Sequence, residues 1–209
     1  MHGTVPTKIG RVIGNLISHP QFIPRCVSHN LLKDKTPLDL EIPWFSYAAI
    51  DFLKQFLRPD MTVCEYGSGG STLFFAARVA SVFSIEDNPD WFQRVSQRLR
   101  EKQVSNVTIQ LYPYDFKNPV DFEQSAYLNA IPDQQFDVIV VDGSEEWTQV
   151  RPICFAKAQT HVRPGGIIVV DDSWRYPALR SQNLAKRYEV FQSVGPCRPG
   201  VTSTDVFFY

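Results

Sequence analysis

"CEYGSGGST", residues 64–72, sets a carboxylate directly before a loop with almost no side chains. A glycine-rich loop lets backbone amides approach a ligand closely. Such a loop has most meaning between a strand and a helix, and the flanking sequence supplies both. "TVCEYG" reads as a strand and "STLFFAARVA" as a helix. Further strands follow at "VASVFSIE", "NVTIQLY", "QFDVIVVD" and "GGIIVVDD". The last two are almost wholly apolar, as strands buried on both faces should be. Between the second and third strands, "NPDWFQRVSQRLREK" predicts a helix with Asn88 as N-cap, Pro89 in its first turn and Trp91, Val95 and Leu99 along one stripe. Another helix is expected near "WTQVRPICFAKAQTH".

Strands alternating with helices predict an α/β fold, a doubly wound and mostly parallel sheet. The tail adds "YEVFQSV" and "TDVFFY", read as a hairpin closing the sheet edge. Residues 1–44 are expected to form an irregular or helical cap, and 45–209 the main domain. The stretch "RYPALRSQNLAKR" from Arg175 reads as the solvated face of a helix. The long connection "YPYDFKNPVDFEQSAYLNAIPDQQ" is expected to hold a short helix bordering a site.

The totals narrow the function. The 209 residues are 44% hydrophobic and 21% charged, a globular composition. With 21 basic and 22 acidic residues the net charge is -1, so no positive field collects phosphate backbones and nucleic acid is disfavoured as a partner. The four cysteines show no CxxC pair and hence no zinc signature, and reduced thiols are the expectation. No run approaches the ~20 apolar residues of a membrane helix, and the start lacks a signal core, so a cytoplasmic protein without membrane contact is expected.

In open α/β sheets ligands bind beyond the carboxyl ends of the strands. Glu65, Glu86, Asp142, Asp171 and Asp172 all fall at such ends. Glu86, nineteen residues after Gly67, is placed to accept both ribose hydroxyls of an adenosine-bearing ligand. A dinucleotide fits the loop poorly, because Thr72 stands where the fingerprint wants Gly or Ala and Glu65 would meet a pyrophosphate. A ligand carrying an ammonium and a sulfonium would suit Glu65, which points to S-adenosylmethionine.

"VCEYGSGGST", "SIEDN", "FDVIVVDG" and "PGGIIVVDD" resemble successive motifs of the class I S-adenosylmethionine-dependent methyltransferases. The resemblance covers roughly residues 45–209 and implies a Rossmann-like sheet of seven strands, the last antiparallel. With "EIPWFSYAAIDFL" and "VDDSWRY", the wording is most similar to small bacterial methyltransferase-like proteins of uncertain substrate. It implies that Glu65, Gly67, Ser68 and Gly69 hold the methionine moiety, Glu86 the ribose and Asp115 the adenine amino group, with Asp142 beside the cofactor. The departure is Ser71, where the family's pattern expects its third glycine, with Gly70 beside it.

Methyl transfer from a sulfonium requires an aligned acceptor and a group to take its proton. Asp142 and Asp171 are the candidate catalytic residues. An alternative, by similarity to catechol-type O-methyltransferases, gives Asp142, Asp171 and Asp172 to Mg²⁺ or another divalent cation. His29 is a candidate base from the cap, whereas His161 reads as a helix C-terminal cation. Trp44, Trp147 and Trp174 suggest an aromatic acceptor pocket or plain loop packing. Arg151 and Arg175 read as surface partners of Glu145 and Glu146. Oxygen of a small molecule or saccharide is the expected acceptor, since "DGSEEW" stands where N-methylating relatives carry Asn/Asp-Pro-Pro-aromatic. Competing readings are an NAD-dependent oxidoreductase and a non-catalytic binding module. The oligomeric state is not legible.

Overall fold

The computed structural model describes residues 5–30 and 35–209. Among them the strands β1 (Thr62–Tyr66), β2 (Ser81–Glu86), β3 (Val107–Leu111), β4 (Phe136–Val141), β5 (Val162–Val170), β6 (Arg187–Val194) and β7 (Val201–Phe208) form one sheet in the order β3-β2-β1-β4-β5-β7-β6. Strands β1 to β5 run parallel, and β7 pairs antiparallel with both β5 and β6. The expected doubly wound architecture and the hairpin at the edge are both present. Strand order reverses between β1 and β4, which opens a crevice at their carboxyl ends.

Alternate residues of each central strand enter different cores. Tyr66, Ile139, Val141, Ile168 and Val170 pack with α7 (Val150–Ala158) and the 116–131 segment, while Val63, Val138, Val140, Ile167 and Val169 pack with α4 (Tyr47–Phe56) and α5 (Gly70–Ala76). Both faces are covered, which is why these strands are apolar throughout. Helix α6 (Pro89–Glu101) starts where Asn88 Oδ1 accepts the Asp90 and Trp91 amides at 3.0 Å each, and it buries Val95 and Leu99 against Leu38 and Leu73.

Ahead of this unit lie α1 (Val5–Ser18), α2 (Ile23–Asn30) and α3 (Pro37–Leu40). Val12, Leu16, Phe22 and Cys26 rest on the core shared with α4. Ahead of α4 the described residues are thus part helical and part irregular, with residues 1–4 and 31–34 outside the described set. All four cysteines are free. No helix among the described residues is long and apolar enough to cross a membrane.

One expectation changes. The stretch from Arg175 forms short 3-10 turns at Ser173–Arg175 and Pro177–Arg180, then runs into β6 without an α-helix. Pro177 cannot donate a helical hydrogen bond, and the Arg180 guanidinium turns inward onto buried Asp205 at 2.7 Å, so this face is not merely solvated. The 113–135 connection holds the expected short helical structure, as single 3-10 turns at Phe122–Gln124 and Leu128–Ala130. Phe116, Phe122 and Tyr127 there form an aromatic cluster that seals one core.

Candidate active site

The glycine loop leaves β1 in a conformation that its residues dictate. Gly67 has φ +94°, and a Cβ there would lie 2.8 Å from the Asp142 carbonyl oxygen, so the loop can approach β4 only without a side chain. Gly70 serves a different contact. A Cβ on it would meet the carbonyl oxygens of Ile42 and Pro37 at 2.2 and 2.3 Å, so the first turn of α5 is pressed against the cap. Ser71, the departure from the family's pattern, is freed from that role and donates to Glu65 Oε2 at 2.8 Å.

Glu65 is 1% exposed and lies beneath the loop, outside the crevice lining. Its oxygens accept hydroxyls from Ser71, Thr72 and Ser84, the last at 2.6 Å. Thr72 Oγ1 also accepts the Gly69 amide at 3.0 Å, closing the start of α5. Burial pushes the Glu65 carboxyl up to about 7 against the opposing effect of those hydroxyls. The expected meeting of Glu65 with a ligand's ammonium is thus corrected, for the residue is saturated by the protein and braces β1, β2 and α5. Thr72, which breaks the dinucleotide fingerprint, is part of the same brace.

A crevice of about 690 Å³ opens above the loop, and its lining includes Gly67, Ser68, Glu86, Trp91, Asp115 and Asp142. Glu86 ends β2, is 3% exposed, and accepts the Asn88 amide at 2.9 Å, the Asp87 amide at 3.1 Å and the Ser68 hydroxyl. Burial raises its carboxyl above the ordinary range. Trp91 Nε1 donates to the Ser68 carbonyl at 2.6 Å, fixing the loop from α6. Asp115 is exposed at the rim, where it accepts the Lys117 amide and the Asn118 side chain, so it is both a turn residue and a crevice residue.

Asp87 lines the same crevice and went unnoticed in the sequence, although "SIEDN" contains it. Burial and then neighbouring Glu86 push its carboxyl up to about 7. Trp91 was read only as part of a buried helical stripe, and nothing in the spacing of α6 separates a ring on the core from one that also borders a ligand.

The remaining carboxylates meet arginines. Arg151 is 4% exposed, lies 3.0 Å from Asp142 and 3.2 Å from Glu145, and donates to the backbone carbonyls of Gly143 and Asp171. It is a buried hub and not the expected surface partner. The three carboxylates around it hold its guanidinium above its ordinary value despite burial. Burial lifts Asp142 to about 6, with Arg151 opposing. Arg175 does pair with Glu145 at 3.0 Å, whereas Glu146 pairs with Lys117.

Asp171, 1% exposed, accepts Thr204 Oγ1 at 2.6 Å and faces Arg198 at 3.4 Å. Asp172 accepts Arg198 at 3.0 Å, the Thr202 hydroxyl and Trp174 Nε1 at 3.3 Å. Burial would raise the Asp172 carboxyl, but Arg198 and Thr202 outweigh it and hold it at about 2. Burial raises the Glu145 carboxyl, with Arg151 opposing and the negative charge of Asp172 adding to the rise. Asp171 is not disposed as a base, because both its oxygens are engaged within the protein. Nor do Asp142, Asp171 and Asp172 compose the expected cation site. Among the described residues no group of three or more His, Cys, Asp or Glu is arranged to hold a metal ion.

The tryptophans separate. Trp147 packs edge-on against Phe122, whereas Trp44 lies 5.1 Å from the Arg198 guanidinium carbon and Trp174 contacts Asp172. Trp44 and Trp174 flank the Arg198–Asp172 pair, so the three do not form one pocket. His29 Nδ1 lies 3.0 Å from the Tyr47 hydroxyl, outside the crevice lining. His161 Nδ1 faces the Lys157 carbonyl at the end of α7, at the opposite edge from the crevice, as expected.

The family described as "Methyltransferase domain" matches residues 64–173, from within β1 to just beyond β5. The chain belongs to that family. The matched span is more than half of the chain and contains Glu65, Glu86, Asp142, Asp171 and Asp172. Solved structures share this methyltransferase's fold. A putative O-methyltransferase from Klebsiella pneumoniae is 15% identical, with TM-score 0.62 over 94% of this chain and 98% of the other. The O-methyltransferase TomG from Streptomyces achromogenes, involved in tomaymycin synthesis and solved with S-adenosylmethionine, is 17% identical, with TM-score 0.62 over 89% and 95%. An rRNA methylase from Streptococcus thermophilus is 15% identical, with TM-score 0.55 over 84% and 98%. No curated protein matches. The motif-based recognition as a class I S-adenosylmethionine-dependent methyltransferase stands, and the oxidoreductase reading is set aside.

Proposed function

We propose that this methyltransferase moves a methyl group from S-adenosylmethionine to a hydroxyl oxygen of a small molecule or saccharide. The observation that carries the reading is the crevice at the carboxyl ends of β1, β2 and β4, floored by side-chain-free Gly67 and walled by buried Glu86. Loop amides from Gly67 to Gly69 suit the methionine moiety, Glu86 the two ribose hydroxyls, and Asp115 at the rim the adenine amino group. When bound, S-adenosylmethionine supplies an electrophilic methyl group on a cationic sulfonium. An acceptor oxygen aligned on the crevice would attack that methyl carbon in line, forming the new O–C bond as the C–S bond breaks and the sulfur leaves with its bonding pair as a neutral thioether.

Asp142 is the group proposed to receive the acceptor's proton. It borders the crevice, and a carboxyl lifted to about 6 is matched to a proton transfer near neutral pH. Oxygen is favoured over nitrogen by "DGSEEW" after β4. Two of the structural relatives are themselves named O-methyltransferases, while the rRNA methylase shows that the fold alone does not choose an acceptor. A balanced charge of -1 speaks against a polyanionic one. Residues 1–44 are read as a cap on the methyltransferase domain of residues 45–209, in keeping with α1 and α2 lying on its core.

Calorimetric titration with S-adenosylmethionine tests the donor, and mass spectrometry of a panel of hydroxylated small molecules and saccharides then tests the acceptor. Saturable binding followed by a gain of one methyl group on a hydroxyl compound is the expected result. No binding by the wild-type protein would return the weight to a module that kept the fold without the chemistry.

A further inference from the structure

The carboxyl ends of β4 and β5 carry Asp142, Asp171 and Asp172, three carboxylates of the kind that hold a hard divalent ion. A metal needs oxygen lone pairs left free and negative charge left uncompensated. At Asp171 and Asp172 both are largely taken up by the protein itself. Arg198 reaches over from the β6–β7 turn and sets one guanidinium nitrogen 3.0 Å from Asp172 Oδ1 and another 3.4 Å from Asp171 Oδ2. Thr204 takes the other Asp171 oxygen, Thr202 and Trp174 add hydrogens to Asp172 Oδ1, and Arg151 pairs with Asp142 Oδ1.

The guanidinium is also fixed from behind. The Arg198 backbone amide donates to Asn30 Oδ1 at 2.8 Å, so α2 anchors the turn that carries it. The Trp44 ring lies 5.1 Å from its guanidinium carbon, and the side chain is only 13% exposed. A dication entering beside the aspartates would meet this cation at close range in a poorly screened environment. Expelling it would strip buried Asp171 and half-buried Asp172 of their shared partner, a destabilising change.

We propose that Arg198 is a built-in cation standing where a divalent metal would otherwise sit, so that the Asp171–Asp172 pair binds no metal in the wild-type protein. This rests on the reading of the crevice as a methyl-transfer site, and it makes the site's positive charge part of the polypeptide. Chelators then have nothing to remove.

The test is Mn²⁺ binding followed by electron paramagnetic resonance of the free ion, on wild type, Arg198→Ala, Arg198→Met and Arg198→Lys, each checked for folding by circular dichroism. Wild type and Arg198→Lys are expected to take up no stoichiometric Mn²⁺. Arg198→Ala, or Arg198→Met if the smaller side chain does not fold, is expected to gain a site at least tenfold tighter than any in wild type, lost again when Asp171→Asn is added. One equivalent of Mn²⁺ on wild type, removed by Asp171→Asn, would overturn the proposal. So would folded neutral variants that bind no more Mn²⁺ than wild type. A parallel calorimetric titration of wild type with S-adenosylmethionine, with and without EDTA, keeps the two readings apart. Absence of binding there defeats the methyltransferase assignment, whereas binding that requires a metal defeats the role given to Arg198.

Discussion

Ser84 Oγ on β2 donates to Glu65 Oε1 on β1 across 2.6 Å, while Ser71 on α5 holds the other oxygen. One buried carboxyl therefore joins two strands and the helix that follows the loop. Replacing it with Ala leaves three hydroxyls facing a void, and stability is expected to fall by about 3 kcal/mol. Urea unfolding of wild type and Glu65→Ala measures this.

The same carboxyl makes a pH prediction. Its folded value, about 7, lies above the unfolded carboxylate value, so protonation favours the folded state. That contribution is complete below the unfolded value and is lost as pH rises through about 7. Glu65→Gln cannot titrate, so relative to wild type it should gain on the order of 3 kcal/mol between pH 4.5 and pH 7 and nothing more above. Equilibrium unfolding of both proteins across that range provides the readout. A difference that does not change with pH would mean that Glu65 stays ionised.

Glu86→Ala should weaken S-adenosylmethionine binding about 10- to 100-fold, the loss of charge-assisted hydrogen bonds to a ribose, with little change in fold. Calorimetry with wild type and variant decides. Equal affinities would remove Glu86 from the cofactor site.

Trp91→Phe keeps the ring's bulk but deletes the N–H that holds the Ser68 carbonyl at 2.6 Å. The loop loses a tether worth about 1 kcal/mol, so cofactor affinity should drop roughly fivefold. Because Trp91 borders the crevice, the variant should also lose most of the tryptophan fluorescence change on titration with S-adenosylmethionine.

The fold was legible because its signals are local and repeated. Val138, Val140, Ile167 and Val169 lie in apolar runs too short and too uniform to be anything but strands buried on both faces. Asn88 followed by Pro89 marks a helix start whatever surrounds it. The site was legible only as a set of strand ends. Sequence position brought Glu65, Asp171 and Asp172 to one edge of the sheet but could not say which oxygens would already have partners. Those partners are far away in the chain: Arg198 lies 26 and 27 residues from the aspartates and Ser84 lies 19 from Glu65. Arg198 itself stands in a turn, "PCRPG", with no periodic pattern to single it out. The turn from Arg175 was misread for a related reason, since Pro177 and the inward pull of Asp205 override a sequence otherwise polar enough for an exposed helix.

The hydrogen of Gly70 faces the carbonyls of Pro37 and Ile42. The wall on one side of the cofactor loop is thus supplied by chain that precedes the recognisable domain. A protein begun at residue 45 would keep the glycine loop and the acidic strand ends and yet lose the surface that shapes the first turn of α5. Shortening for expression, or grafting this loop onto another scaffold, has to carry the 37–42 segment along, and motif boundaries are a poor guide to where this enzyme can be cut.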